Sequence, residues 1–533
     1  MKLRMGVPMA LAVLALVLVW FVGRDANPGP LGFRLDDAWI LAVYGQRLAE
    51  DGFLSYVPGV PSTGCTSPLW AAVLALIHTL VGDASGTDAF VTGVMVTSGI
   101  FHVGTAAYAG DLVGRLTRQD LTGAVAGGLV AVATPMAAAA FSGMEVVPTG
   151  LLLLAGAGAA MRGRWAMSGI ALTFAALSRP ESASVALVVA AFAALDSNHL
   201  REAAGRLLRL GLPLAVGAAM FIGYDLWASG APFPATFYAK KSARLLDLPR
   251  RWQIASQYIL PMVPPLGLGF GWLAVLGFVP RRRDGASRAE PSLLLAVLPL
   301  IAGLAYITAN LSLIHPIDPF AFYHQRYLLP AIPLILVGLT IGAWRLGRML
   351  PEGWAPAPLG ILAAASILQA ALTVGPESRH LHNDVRNINE VQRELGEWLG
   401  AHLPPDTWIA ASDAGAIRYF SGLPTIDVLG LNTPEMLQHD ETFIREHPVA
   451  LMAIMPVWVY PRDSDAVWVV HGATTQHYSV TSDPRMATQM IIRANPKLPP
   501  AEDGSKVVRI AFDGVRSFEL DFKRSLTSKE NLP

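Results

Sequence analysis

The sequence predicts a mainly α, polytopic membrane protein with a mixed α/β domain at its C-terminal end. Three observations predict it. Of 533 residues, 53% are hydrophobic and only 15% charged, against the roughly 25% charge of soluble domains. Apolar stretches of spanning length recur over the first two-thirds of the chain. After Glu377 that pattern gives way to a polar helical stretch followed by short strands and turns. Lys plus Arg equals Asp plus Glu at 40 each, so no global field attracts nucleic acid and the bilayer is the expected partner.

Taken in order, a basic start (Lys2, Arg4) leads into an apolar run from Val7 to Val22. No A-x-A cleavage pattern precedes Arg24, and an uncleaved anchor is expected. Further candidates lie near 88–110, 121–140, 146–160, 166–195, 210–228, 256–279, 291–313, 328–344 and 356–374. Arg179, Pro180 and Glu181 break the 166–195 stretch into two short helices at a polar apex, for about eleven spans in all. The 68–82 run is marginal and reads as re-entrant. Basic clusters at 161–165, 201–209, 281–288 and 345–348 stay cytoplasmic if the loops at 24–67, 141–145, 179–182, 229–255 and 314–327, and the tail, lie outside. The chain is thus expected in the cytoplasmic (inner) membrane, with residues 1–375 as the transmembrane domain and 24–67 as its first extracytoplasmic loop. Residues 376–533 form an extracytoplasmic α/β domain. Its strands are expected at Trp408–Ser412, Thr425–Leu429 and Val449–Met455, then near Val507–Phe512 and Phe518–Phe522.

Chemistry is expected where polar residues collect on the outer side. The first loop carries Asp36 and Asp37 at the start of an amphipathic helix. Capping alone would account for such a pair, because carboxylates favour helix starts. Neighbouring helical residues point about 100° apart, so only one of the two faces a given pocket squarely, and one base with one helper is the natural division. Ser142 and Glu145, Arg179 and Glu181, Tyr238 with Lys240 and Lys241, and His324 with Arg326 recur at the outer ends of apolar segments. Snorkelling or internal pairing, such as Glu145 with Arg179, explains them singly. As a set of acids and cations they suit a phosphate-bearing ligand. The single cysteine, Cys65, reads as an apolar filler. No histidine pair has metal-ligand spacing, and no P-loop, G-x-G-x-x-G or G-x-S-x-G occurs.

Seven pieces in order, LDDAWI, YVPGVPSTGCTSPLW, FSGMEVVP, LSRPES, PATFYAKK, HQRYLLPAIP and SDAGAIRYFSGLPTIDVLGLNTPE, resemble the polytopic glycosyltransferases of the GT-C fold. Within them they most resemble the branch of the terminal β-(1→2) arabinofuranosyltransferase of mycobacterial cell walls. The resemblance implies a polyprenyl-phosphate sugar as donor and an acceptor hydroxyl outside the membrane, on a cell-envelope glycan, with inversion. Asp36 would be the base and Asp37 its helper. Lys240 and Arg326, with Arg179 in reserve, would hold the donor phosphate. Glu145, Glu181, Tyr238 and His324 would line the pocket, and Asp413 and Asp427 would grip the acceptor unless they are turn and strand-end residues. Ala38, Trp39 and the STGCTSP run depart from the relatives. A divalent cation held by the DD pair is left open. So are two other readings, transfer to protein and a non-catalytic assembly factor on the same fold.

Overall fold

The computed structural model describes residues 2–24, 29–82, 86–239, 252–253, 274–279, 292–313, 325–438, 449, 451–455, 466–477, 488–493 and 506–509. Its helices are α1 (Lys2–Phe21), α2 (Asp36–Asp51), α3 (Pro68–Val81), α4 (Gly86–Thr117), α5 (Asp120–Ala131), α6 (Thr134–Ala139), α7 (Val146–Met161), α8 (Trp165–Ser178), α9 (Ala183–Leu195), α10 (Leu200–Ser229) and α11 (Ala235–Ala239). They continue as α12 (Leu293–Leu313), α13 (Ile332–Gly347), α14 (Ala357–Ile388), α15 (Glu394–His402) and α16 (Ala416–Ser421). The chain sorts into two compact units. One holds Met1–Arg24, Val94–Tyr224 and Ser242–Arg379, and the other Asp25–Gly93, Asp225–Lys241 and His380–Pro533.

Among the described residues six helices are long and apolar enough to cross a membrane, accompanied by five apolar helices of 10–17 residues. This is a multi-pass membrane fold. The 166–195 stretch is two helices, as its composition implies. Arg179 is extended (φ −149°, ψ 117°), because the proline that follows disfavours helical backbone in the residue before it. The 68–82 run forms α3, whose 14 residues are too short for a span of about 20. It packs instead on α2, where a Cβ on Gly45 would lie 2.5 Å from the Leu74 side chain. Most of the 256–279 candidate, the 281–288 cluster and the strand expected at Phe518–Phe522 lie outside the described residues.

In the first unit small residues bring helices together, as apolar solvent demands when no hydrophobic effect drives helix onto helix. A Cβ on Gly110 of α4 would stand 2.0 Å from the Arg4 carbonyl oxygen of α1, and one on Gly123 of α5 would stand 2.5 Å from the Gly110 oxygen. At that end Arg4 donates to Asp111 and Asp120, each at 3.2 Å. Arg115 donates to Asp111 at 2.7 Å, and Arg162 lies 3.7 Å from it. Four helix ends thus share one buffered charge cluster.

In the second unit α15 is reached from α14 through a π-helical turn, Asn389–Arg393, within one helical run from Glu352 to His402 that keeps Pro376 inside. The polarity change near residue 376 is therefore a change of surroundings along a helix, not a break in it. The strands β3 (Ile409–Ala411), β4 (Thr425–Asp427), β5 (Leu451–Ile454), β6 (Ala466–Thr474), β7 (Thr488–Arg493) and β8 (Lys506–Arg509) form one sheet in the order β4-β3-β5-β7-β6-β8. A hairpin in the first loop supplies the short pair β1 (Ser55–Val57) and β2 (Val60–Pro61). In the six-stranded sheet β3 runs parallel to β4 and β5, and the other pairings are antiparallel. The β3–α16–β4 crossover leaves the C-terminal ends of β3 and β4 side by side, where Asp413 and Asp427 stand.

Gly110→Ala should force α1 away from α4 and cost about 1–3 kcal/mol. Gly211→Ala, with nothing within 4 Å of its added Cβ, should be neutral or slightly stabilising. Thermal unfolding of the detergent-solubilised protein separates the two, and equal midpoints would refute the close crossing.

Candidate active site

The acids sit where the first loop meets the tail domain, inside the second unit. Leu35, extended, is the N-cap of α2, and its side chain makes no capping bond. Asp36 and Asp37 thus occupy the first turn, where the helix dipole favours negative charge. The Asp36 carboxylate serves a different segment. Oδ2 accepts the Gly415 N–H at 2.8 Å and Oδ1 the Ala416 N–H at 2.7 Å, the N-cap and first residue of α16.

Around that contact the loop is fastened to the tail at four further points. Arg34 donates from Nε (2.9 Å) and Nη2 (2.6 Å) to Asp384 Oδ2. Trp39 packs its ring 4.8 Å from Tyr419 and 4.7 Å from Phe420. The Tyr56 hydroxyl donates to the Ala414 carbonyl at 2.5 Å, and the Tyr44 hydroxyl donates to Asn432 Oδ1 at 3.1 Å. Gly64 of the STGC run passes so close that a Cβ there would lie 2.4 Å from the Tyr44 hydroxyl and 2.7 Å from the Leu431 oxygen. Loop and tail motifs that looked independent along the chain are thus two sides of one packed interface.

The tail brings its own acids to it. Asp413 Oδ2 accepts amide donors from Gln392 (2.7 Å) and Gln489 (2.6 Å). The π-helical turn aims Gln392 here, in keeping with the tendency of such turns to mark functional positions. Asp427 is committed to its own turn. Its carboxylate accepts the backbone N–H of Leu429 and both the backbone and side-chain N–H of Asn432, all at 2.9 Å. The turn and strand-end role weighed for Asp427 is the one its hydrogen bonds describe.

Burial raises the Asp36 carboxyl well above the ordinary carboxylate range, and the Asp413 charge adds to it, against the opposing Ala416 and Gly415 N–H groups. Burial likewise pushes Asp413 up to about 6, with Gln392 and Gln489 opposing and the Asp37 charge reinforcing. Asp36 and Asp413 therefore sit at a potential that favours holding a proton, with the Asp37 charge among the causes at both. Among the described residues no group of three His, Cys, Asp or Glu side chains is arranged to hold a metal ion, and both Asp36 oxygens are engaged by backbone N–H groups. The Asp36 carboxylate is thus oriented by backbone N–H donors.

The first unit gathers a second polar cluster. Arg179 Nη1 donates to Glu145 Oε1 at 2.6 Å and its Nε lies 3.7 Å from Glu181. Its guanidinium also sits 4.7 Å over the Tyr327 ring, which Arg326 approaches at 4.9 Å. The internal pairing of Glu145 with Arg179 is therefore present, and Arg179 is charge-compensated. Tyr238, on the short helix α11, is 38% exposed, and α11 is tied to the STGC run through the Ala235 N–H and Thr63 oxygen at 3.2 Å. Lys240, Lys241 and His324 lie outside the described residues. Arg34, Tyr44, Tyr56, Gln392, Gly415 and Gln489 were not singled out from the sequence.

A family model described as a domain of unknown function (DUF8728) matches residues 383–503. No curated protein matches the chain. Among solved structures, ArnT from Cupriavidus metallidurans bound to undecaprenyl phosphate is similar at 13% identity and a TM-score of 0.56, over 92% of this chain and 99% of that one. The oligosaccharyltransferase of Archaeoglobus fulgidus is similar at 11% identity and a TM-score of 0.51, over 85% and 70%. The arabinofuranosyltransferase AftD from Mycobacteria aligns at 14% identity and a TM-score of 0.46, over 84% and 35%, too loosely to argue for that branch. The first two likenesses show the fold, that of the polytopic GT-C glycosyltransferases.

Two outcomes test this geometry. Arg34→Ala leaves Asp384, 0% exposed, without its guanidinium and should cost about 3–5 kcal/mol in thermal unfolding, whereas Arg34→Met with Asp384→Leu should recover most of the loss. Asp413 binds its proton more tightly folded than unfolded, so its stabilising contribution is full below its ordinary value of 3.8 and is lost as pH rises through about 6. Asp413→Asn should therefore be more stable than wild type at pH 7.5 by about 1–3 kcal/mol, with the gap closing towards pH 4. A pH-independent gap would refute the burial of that carboxyl.

Proposed function

We propose that this chain is a membrane glycosyltransferase that moves a sugar from a polyprenyl-phosphate donor to an acceptor hydroxyl on the extracytoplasmic side of the inner membrane, with inversion. The observation that carries the reading is the convergence of Asp36, Asp37 and Asp413, on a fold that aligns along nearly its whole length with a protein solved with undecaprenyl phosphate bound. A buried carboxyl whose proton affinity is raised above the ordinary carboxylate range is a stronger base than a free one. Asp36 takes the acceptor hydroxyl proton as the acceptor oxygen bonds to the anomeric carbon. The bond from that carbon to the phosphate oxygen breaks with its electron pair leaving on polyprenyl phosphate. Asp37 is the electrostatic helper. Arg326 and Lys240 are assigned to the phosphate, whose low basicity lets cations suffice in place of a general acid. Arg179, already compensated by Glu145 and Glu181, stays in reserve.

Residues 376–533 are proposed to carry the acceptor, a cell-envelope glycan, and the ordered motif set supports the arabinofuranosyltransferase branch as the source of the donor type. Protein is the second acceptor class, favoured by the likeness to an archaeal oligosaccharyltransferase solved with an inhibitory peptide and a dolichol-phosphate.

The test presents a panel of polyprenyl-phosphate pentoses and hexoses, with glycan and peptide acceptors, to purified wild type, Asp36→Asn and Asp37→Asn. Wild type should turn over. Asp36→Asn should lose about 10²–10⁴-fold in rate, the range of general-base contributions, and Asp37→Asn less. An inert wild type across the panel, with both variants rescuing a deletion strain, would replace this reading with that of an assembly factor.

A further inference from the structure

We infer that the Asp413–Gly415 turn of the tail is a positioning element for Asp36, which makes Gly415 a positioning residue for the transfer; this rests on the reading above. The turn is held at three successive residues, Ser412, Asp413 and Ala414, by groups other than Asp36. The Tyr56 hydroxyl donates to the Ala414 oxygen at 2.5 Å. Gln392 and Gln489 hold Asp413 at 2.7 and 2.6 Å. Ser412 donates its N–H to the Ala453 oxygen at 3.0 Å, and its Oγ accepts the Met455 N–H at 2.7 Å. Those anchors come from the first loop, the π-helical turn, β5 and β7, so the turn is a rigid abutment.

Against it rest both oxygens of Asp36, one on each of two successive N–H groups. Two donors to two oxygens fix the plane of a carboxylate as well as its place, which a single bond cannot do. Glycine is required at 415 for proximity rather than conformation. Its φ of −89° is open to any residue, but a Cβ would stand 2.1 Å from the Asp36 backbone oxygen and 2.7 Å from Oδ2. Reactive groups must be held within about 0.5 Å and 10–20° of the productive geometry. The tail therefore supplies the base with its orientation, and an acid of the first loop is competent only with this turn in place.

The experiment pairs kinetics with an activity-independent readout on the full-length protein in detergent. Hydrogen exchange of the peptide covering 412–421 should show protected amides in wild type, and Asp36→Ala should speed exchange of two of them by at least about tenfold. Gly415→Ala should lower kcat about 10- to 100-fold, the scale of a displacement near 1 Å, with KM for the polyprenyl-phosphate sugar within about 3-fold and a fall in Tm like that of Gly110→Ala. Should Gly415→Ala not fold, Tyr56→Phe is read the same way, with a smaller fall in kcat. Unchanged exchange in Asp36→Ala overturns the tether. Altered exchange with a wild-type kcat in Gly415→Ala overturns the positioning role. An inert wild type overturns the transfer reading and that role with it, while the exchange data still decide the tether by themselves.

Discussion

A guanidinium and a carboxylate taken almost wholly out of water are costly unless they meet, and Arg34, at 3% exposure, meets Asp384, at 0%. That ion pair is the constraint on which the rest of the second unit depends. It fixes the entry of the first loop against the tail's leading helix. Asp36, two residues on, then reaches the turn after β3, and Trp39, one helical turn further, enters the ring cluster of Tyr419 and Phe420. The hydroxyls of Tyr44 and Tyr56 extend the same seam. Charge, hydrogen bonds and aromatic packing all point one way, and such agreement between levels makes a single arrangement more favourable than its competitors.

The two polar clusters differ in kind. In the first unit Arg179 is matched by Glu145 and Glu181 and covered by Tyr327, so its charge is balanced before any ligand arrives. In the second unit several acids stand together. Burial holds up both Asp36 and Asp413, the Asp413 charge adds to it at Asp36 and the Asp37 charge at Asp413, and the hydrogen bonds they accept only partly offset burial. Such crowding of buried carboxyls costs stability. Asp427 differs in its partners, since three donors meet its carboxylate within its own turn, yet burial raises it too.

Hydropathy made the membrane class legible, because lipid permits so few solutions that composition nearly determines the class. The Arg179–Pro180–Glu181 break was legible too, since proline acts on its immediate neighbour. The reach of α3 was not, because a run of 14 apolar residues suits either a buried helix or a short lipid-facing one. A continuous helix through Pro376 was equally hidden: composition reports the surroundings of a residue, and one helix can pass through two of them. The acids Asp36 and Asp37 stood out as a pair at a helix start. Their partners Gly415 and Ala416 could not, for they act through backbone N–H groups that every non-proline residue carries.

The sequence by itself determined the solvent, the segments able to span it and the polar residues that lipid would not hide, because transfer free energy depends on residue type and local run length alone. Tertiary structure decided which of those residues work together. Asp36 finds its donors 379 and 380 positions away, and Arg34 its partner 350 away. Pairings at such separation follow from how the whole chain closes its core and satisfies its buried polar groups, a condition no local pattern encodes.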